Sequence, residues 1–351
     1  MQQLMYEDRT RNPFVANVEL TAGQLRIGSR RMPVTELHAP AMADAYRRGS
    51  WLGAGGVERA LSEIPDGPGV VPVVRITGAV YPVKVRRAAE FVRTLGELAV
   101  WLSGGPESLA TIVAQAEHEG VPLWITRRQA PGPLGPITVT VDRRLVRADV
   151  WGPQAPVVRL RGPYGLIAGR DAVTRLTVTV GESPAFVWVT DAARKSRRCV
   201  GVRSPQGQWE LWRQDHRSSR LLRDGREVAL LVRPVPGAGR DLVVLPLAEV
   251  RLAHGDPLDA VMAHFFAVCF GLGDGTGRMR FGSQRAQPHP STPGGWVQPW
   301  HTGVGASGCD SGPGAGGDGW GGGDGGGGGG GDGGGGGGGG DGGGGGGGGG
   351  S

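Results

Sequence analysis

Cysteine is scarce in this chain of 351 residues, which contains only Cys199, Cys269 and Cys309. Three widely spaced cysteines are too few for a disulfide framework or a zinc knuckle. Long apolar runs are also missing, since no stretch reaches the roughly 18 apolar residues of a membrane-spanning helix. The polar start of the chain shows no secretory pattern. We therefore expect no transmembrane segment, and a protein that is cytoplasmic or peripheral to a membrane surface.

Catalytic motifs are missing as well. The sequence contains neither a G-x-S-x-G nucleophile elbow nor an H-E-x-x-H zinc motif. Its seven histidines are scattered, and we interpret His264, in an apolar segment, as a core histidine bonded to a nearby carbonyl. The stretch Gly53–Gly56 has no predicted strand before it and no G-K-[ST] after it, which indicates a turn. The sequence predicts no catalytic residue, no metal ligand and no cofactor, and it favours a protein that is not an enzyme.

Lysine is nearly absent, because only Lys84 and Lys195 occur and arginine supplies the remaining positive charge. All 38 basic residues lie at or before Arg285, whereas five of the 32 acidic residues lie beyond it. The body up to residue 285 therefore carries 38 − 27 = +11 charges, compared with +6 for the whole chain. A basic body favours anionic partners such as a lipid surface or nucleic acid.

Glycine is in large excess, with 68 residues. From Gly321 onward the sequence is glycine, interrupted only by Asp324, Asp332, Asp341 and the final serine. Glycine has no side chain to bury and loses the most backbone entropy on ordering. We therefore predict that residues 285–351 form a disordered, low-complexity tail.

Two regions of different pattern precede this tail, separated by the Pro/Gly cluster at 130–136. The first combines short strands with two helices that begin near Arg87 and Pro106, and a strand is expected over 121–126. The second is a succession of short strands, in which the pair Asp224–Gly225 predicts a type I′ hairpin turn. The resulting domain prediction is a mixed strand-helix domain at 1–129, a linker and first strand at 130–142, an antiparallel β-domain at 143–284 and the tail at 285–351.

One segment of the second region, 256–271, is apolar on every side. Asp256 is placed to cap a helix and Pro257 suits its first turn. A helix of about 15 residues that is apolar all round must be surrounded by protein, since it is too short to span a bilayer. We predict a buried core helix, and an α+β fold whose second domain is an antiparallel β-barrel or sandwich around it.

The strand series followed by Asp-Pro-Leu-Asp-Ala at 256–260 and the apolar helix resembles the phospholipid scramblase, LURP-one-related and tubby C-terminal family over residues 143–281. That resemblance implies a barrel threaded by a helix, and a membrane-apposed or regulatory binding module. The chain lacks an acidic calcium-binding segment like that of scramblases and has fewer than twelve predicted strands, so neither calcium dependence nor lipid scrambling is carried over. The strand and helix order of the N-terminal part is similar to that of small pleckstrin-homology-like modules.

The best candidate for a binding site is a basic turn, defined by Arg194, Lys195, Arg197 and Arg198, between two predicted strands. Four cations crowded at a hairpin end are tolerated in solvent or against an anion, and each adds attraction to an anionic membrane. The sequence therefore predicts a non-catalytic binding or regulatory module whose partner is an anionic lipid surface or a protein. The alternative is an enzyme whose site forms in the interdomain cleft from residues distant in sequence.

Nucleic acid is the less favoured partner. Trp188, Trp209 and Trp212 lie on neighbouring predicted strands near several arginines, a combination that can stack nucleobases. Tryptophans of a β-domain more commonly point into its core. The period of two places Trp209 with Leu211 on one face and Trp212 on the other.

Overall fold

The structure is a computed structural model that describes residues 4–9, 16–143, 145–163, 170–190, 197–234 and 246–281. The predicted disordered tail at 285–351 lies outside these residues. Within them the chain forms an α+β fold with four α-helices and nineteen strands. The helices are α1 (Ala39–Arg47), α2 (Ala88–Leu102), α3 (Gly105–Glu119) and α4 (Pro257–Cys269).

The N-terminal part of the chain contains eight of the described strands. The first four form an antiparallel meander, and the others form two hairpins that pair β5 with β6 and β7 with β8. Their bounds are β1 (Leu4–Asp8), β2 (Val18–Thr21), β3 (Gln24–Ile27), β4 (Arg30–Pro33), β5 (Ser50–Leu52), β6 (Glu58–Ala60), β7 (Gly69–Val74) and β8 (Val80–Val85).

Helices α1 to α3 pack with these strands around one hydrophobic core. The two predicted helices are confirmed, because α2 buries the apolar face that begins at Ala88 and α3 ends at Gly120 in the left-handed conformation of a C-cap. Helix α1 was not predicted, although Pro40 occupies its first turn.

One prediction for this part is wrong. Residues 121–126 form turns rather than a strand, and the next strand begins at Arg127. The turn predicted at Gly53–Gly56 is confirmed, because this stretch connects β5 to β6 as a hairpin, although a strand does precede it. Its last glycine is needed there, since it has a positive φ and a Cβ would collide with the indole of Trp124.

The remaining strands form one antiparallel sheet of eleven, in which each strand pairs with its neighbours in chain order. The predicted type I′ turn is confirmed, because Asp224 and Gly225 both have positive φ between β17 and β18. The sequence also predicts a strand over 242–247, which falls largely outside the described residues. The bounds are β9 (Arg127–Ala130), β10 (Ile137–Asp142), β11 (Arg147–Trp151), β12 (Val158–Arg161), β13 (Thr177–Val180), β14 (Ser183–Thr190), β15 (Cys199–Ser204), β16 (Gly207–Arg213), β17 (Ser218–Arg223), β18 (Arg226–Val232) and β19 (Glu249–Leu252).

Helix α4 is the core of this sheet, as predicted. Every residue from Leu258 to Cys269 is buried, and the Asp256 carboxylate accepts hydrogen bonds from the backbone N–H groups of Leu258 and Asp259 at 2.8 and 3.0 Å. The helix contacts β10, β11 and β12 near one end of the sheet and β18 and β19 at the other, so the sheet curls around it. In the part of the chain that the structure describes, β9 and β19 do not pair, so the sheet is open and a closed barrel is not formed.

Residues 131–136 connect β9 to β10, two adjacent strands of the large sheet. One hydrophobic core comprises residues between Tyr6 and Leu109, and the other comprises residues between Ile137 and Phe281. The division of the body into two domains remains a prediction, but each half has its own apolar interior.

The carboxylate of Asp149, which is fully buried on β11, is held by three arginines of β11 and β12. It lies 2.9 Å from Arg147, 2.9 Å from Arg159 and 2.5 Å from Arg161, measured between guanidinium nitrogen and carboxylate oxygen. A buried charge is tolerated only when it is paired and hydrogen-bonded. The three arginines supply both conditions.

Two of these arginines also bind the end of α3. Arg147 donates to the carbonyl of Gly120 at 2.6 Å, and Arg159 donates to the carbonyl of Glu119 at 3.1 Å. The last carbonyls of a helix lack intrahelical partners and carry partial negative charge. Arginines at this position satisfy the carbonyls and complement the helix dipole, so the network connects α3 to the large sheet.

Replacing Asp149 with Asn is expected to lower the free energy of unfolding by about 3 kcal/mol, because three partly buried guanidiniums would lose their shared counter-charge. Urea unfolding followed by circular dichroism measures this. The control is Glu249→Gln, which breaks the solvent-exposed pair with Arg251 and should cost less than about 0.5 kcal/mol. An Asp149→Asn variant as stable as this control would contradict the proposed role.

Candidate functional site

The basic turn falls between β14 and β15. Arg194 and Lys195 lie outside the described residues, whereas Arg197 is exposed and Arg198 is partly buried. The two flanking strands pair without a register shift from Phe186 opposite Arg203 to Thr190 opposite Cys199. The segment that contains the four cations is therefore connected at both ends to a regular antiparallel ladder.

An exposed aromatic pair lies on the outward face of β14. The sequence pattern did not predict that these rings would be exposed. Phe186 is 60% exposed, and its ring stacks beside that of Trp188 with centroids 6.1 Å apart and planes inclined by 17°. The guanidinium carbon of Arg203, on β15, lies 5.7 Å from the centroid of Phe186. Gly201 lies directly under the indole of Trp188, since any Cβ there would collide with this ring.

The other two tryptophans confirm the predicted alternation along β16. Trp209 and Leu211 are fully buried, while Trp212 faces outward and donates from Nε1 to Glu210 at 3.0 Å. The indole of Trp209 donates to Asp259 on α4 at 2.8 Å. Trp209 thus fixes the helix to the sheet and is not available to an external ligand.

A cavity of about 600 Å³ lies beside the C-terminal half of α3. Its wall comes from α1, β5, β6, α3 and the following loop, together with Arg147 of the large sheet. The ionisable residues among those that line it are Asp44, Arg48, Glu58, Glu117 and Arg147. The alternative from the sequence is an enzyme site formed in the interdomain cleft by residues distant in sequence, and this cavity is compared with that expectation.

The charges of this cavity are largely engaged with one another. Arg48 makes a two-pronged contact with Glu58, with both distances 2.8 Å, and also donates to Asp44 at 2.8 Å. These bonds to two carboxylates raise the pKa of Arg48 above its ordinary value. The described lining contains no serine, threonine, cysteine, histidine or lysine, so it offers no hydroxyl, thiol, imidazole or amine for covalent catalysis.

Buried arginines cluster at the C-terminal end of α4. Arg143 donates to the carbonyls of Val268 and Arg280 at 3.1 and 2.8 Å, and Arg280 donates to the carbonyl of Ala267 at 3.4 Å. Burial lowers the pKa of Arg128 to about 9 and that of Arg280 to about 10, with neighbouring arginines adding to the effect. Because Arg143 and Arg280 bind carbonyls of the last helical turn, this cluster caps α4.

Two buried histidines also have shifted pKa values. Burial, followed by the nearby Arg128, lowers the pKa of His264 on α4 to about 4. Burial, followed by Arg127, lowers the pKa of His38 at the start of α1 to about 4. Nδ1 of His264 has no hydrogen-bond partner among the described residues, so the predicted bond to a carbonyl is not found at this nitrogen.

In the described part of the chain, no three His, Cys, Asp or Glu side chains converge as a metal site would require. None of the helices described there has both the length and the apolar character needed to cross a membrane. Comparison with known proteins finds no matching family model, curated protein or solved structure. The resemblance of residues 143–281 to the scramblase and tubby family stays a prediction.

The two histidines give the protein a specific acid sensitivity. Both have a pKa of about 4 when folded, against the ordinary value of 6.5, so the unfolded chain binds more protons between these pH values. Their stabilising contribution is complete above pH 6.5 and is lost as pH falls toward 4, by about 1 kcal/mol per pH unit for each histidine.

Urea unfolding at several pH values, compared between the wild type and the double variant His38→Gln, His264→Gln, tests this expectation. The comparison cancels the contribution of the carboxylates to the pH dependence of stability, because both proteins contain the same carboxylates. The variant should show a shallower loss of stability between pH 6.5 and pH 4.5, whatever its stability at pH 7. Equal slopes would show that these imidazoles are not held neutral by burial.

Proposed function

We propose that the chain is a non-catalytic binding module that associates with an anionic membrane surface through the basic turn of Arg194, Lys195, Arg197 and Arg198. The observation that carries the proposal is the position of this turn between β14 and β15. These strands are paired up to Thr190 and Cys199, and the four cations lie within five residues of the sequence that joins them.

The electrostatic attraction expected from four cations is large enough to matter for binding. Each Lys or Arg close to an anionic leaflet contributes about 1 kcal/mol of attraction, which decays within a Debye length. Four cations together account for an affinity gain of several hundredfold at low salt. The body carries a net charge of +11, so its overall field acts in the same direction.

The architecture is compatible with this proposal. The resemblance to the scramblase, LURP-one-related and tubby family implies a barrel threaded by a helix, and with it a membrane-apposed or regulatory module. The described sheet curls around α4 without closing. In this proposal the protein resides in the cytoplasm and is peripheral to the membrane. A protein partner with an acidic surface is the other occupant that the charge of the turn would fit.

Co-sedimentation of the full chain with vesicles tests the proposal. Binding is expected to vesicles of phosphatidylcholine with phosphatidylserine, not to phosphatidylcholine alone, and should weaken as salt rises from 0.1 M to 1 M because the Debye length falls from about 10 Å to about 3 Å. Changing the four cations of the turn to Ser should lower the partition coefficient several hundredfold at low salt.

The matched control changes Arg31, Lys84, Arg93 and Arg226 to Ser. All four are exposed. Like the turn variant, the control replaces three arginines and one lysine, so the two variants have the same net charge. If the control loses as much binding as the turn variant, the attraction comes from the net charge and the turn is not the contact. Absence of binding to any vesicle would exclude the membrane proposal.

The cavity beside α3 favours a second candidate, an enzyme or small-molecule binder. Several ionisable side chains converge there, and Trp124 supplies an aromatic wall. We rank it second because Arg48 already binds both Asp44 and Glu58. A small molecule that raises the thermal unfolding midpoint of the wild type, but not that of Trp124→Ala, would identify this cavity as the binding site.

A further inference from the structure

The outward face of β14 carries an apolar stripe made of Pro184, Phe186 and Trp188. Pro184 is exposed, Phe186 is 60% exposed and Trp188 is partly buried. Successive outward residues of a strand are two apart, so these three side chains follow one another along the strand, and Thr190 then leads into the basic turn. No charged residue interrupts this face of β14.

The stripe is held in place by its surroundings. The indole of Trp188 lies across Gly201 of β15, and Phe186 stacks beside it. The alternate residue Val187 is buried in the core of the sheet, so the strand cannot turn its aromatic face inward without exposing valine. Exposed aromatic side chains fixed in this way bind with little further loss of conformational freedom.

Positive charge lies beside the stripe and follows it in sequence. Arg203 lies beside Phe186, and the basic turn follows Thr190. Aromatic rings are enriched at membrane–water interfaces, where they lie at the level of the headgroups. Arginine is suited to binding phosphate through its fork of N–H donors. The combination is complementary to an anionic lipid interface and supplies the two signals, apolar and electrostatic, that stable peripheral binding requires.

A single-stranded nucleic acid fits this face less well. Glu210 of β16 lies on the same outward face, opposite Gly201, and is about 10 Å from Trp188 across two strand spacings. Its carboxylate is fixed by hydrogen bonds from Gln208 at 2.8 Å and Trp212 at 3.0 Å. A single strand that stacked its bases on both Trp188 and Trp212 would have to carry its phosphates past this negative charge, whereas a bilayer that contacts only the stripe and Arg203 would not.

We propose that the stripe of Pro184, Phe186 and Trp188 is an interfacial anchor: its aromatic rings enter the headgroup layer of an anionic bilayer while Arg203 binds a lipid phosphate. This inference rests on the proposed membrane association and adds its apolar component. The electrostatic component weakens with salt, whereas the apolar component does not.

Vesicle co-sedimentation of the full chain separates the two components. The wild type should keep part of its binding to vesicles of phosphatidylcholine with phosphatidylserine at 1 M salt. Phe186→Ser should lower the partition coefficient about tenfold at both 0.1 M and 1 M salt, which is about 1.4 kcal/mol. The control is Trp101→Ser on α2, which removes an aromatic side chain that is 66% exposed elsewhere and should leave binding unchanged.

A second readout follows ring position rather than affinity. Brominated phosphatidylcholine in the same vesicles should quench tryptophan emission of the bound protein. Trp188→Phe, which keeps an aromatic side chain over Gly201, should reduce the quenched fraction, whereas Trp101→Phe should not. Thermal unfolding of each variant shows whether the fold is retained.

The outcomes distinguish this inference from the proposed function. Wild-type binding that Phe186→Ser leaves intact, with quenching unchanged in Trp188→Phe, would overturn the anchor and leave the basic turn as the contact. No vesicle binding by the wild type would overturn both. Fluorescence anisotropy with a single-stranded oligonucleotide completes the test, because tight binding that is lost in Phe186→Ser would assign the stripe to base stacking and overturn the lipid assignment.

Discussion

The buried carboxylate of Asp149 is a constraint on which the contact between α3 and the large sheet depends. It is buried on β11, and it draws Arg147, Arg159 and Arg161 to one point of the sheet surface. Without that charge, three guanidiniums would repel one another where solvent screening is weak. With it, two of them extend to the terminal carbonyls of α3. One acidic residue thereby organises both a strand pair and the end of a helix from the other half.

Helix α4 shows the same use of arginine inside the curled sheet. Its N-terminus is capped by Asp256, and Arg223 lies within 3.3 Å of both Asp256 and Asp259. At its C-terminus Arg143 and Arg280 bind carbonyls of the last turn. Charges of opposite sign therefore lie at the two helix ends in the sense that the helix dipole favours. An apolar helix surrounded by strands is thus oriented by polar groups at its ends.

Much of the fold was readable from local patterns, whereas the exposed aromatic surface was not. The α4 segment has apolar residues on all sides plus a capping Asp256, and Asp224–Gly225 has the backbone freedom that its turn demands, so both were predicted correctly. In β14, both alternating sets are apolar, so the period of two could not tell whether Phe186 or Val187 faces the core. The cavity and the Asp149 network join residues far apart in sequence, which no linear motif records. Helix α1 was missed because its segment is only nine residues long and the side chains that it buries are mostly alanines, which give little apolar signal.

The scarcity of lysine acquires a structural meaning from these networks. Arg147 binds a carboxylate through one nitrogen and a helix carbonyl through another, and Arg159 and Arg143 each contact two acceptors. A guanidinium holds five donors in a fixed plane, whereas an ammonium concentrates its donors at one point. Exchange of arginine for lysine would preserve every charge in this protein yet leave acceptors unfilled at these sites. These positions therefore tolerate fewer substitutions than their charge alone suggests, because the architecture constrains the geometry of the donors as well as the charge.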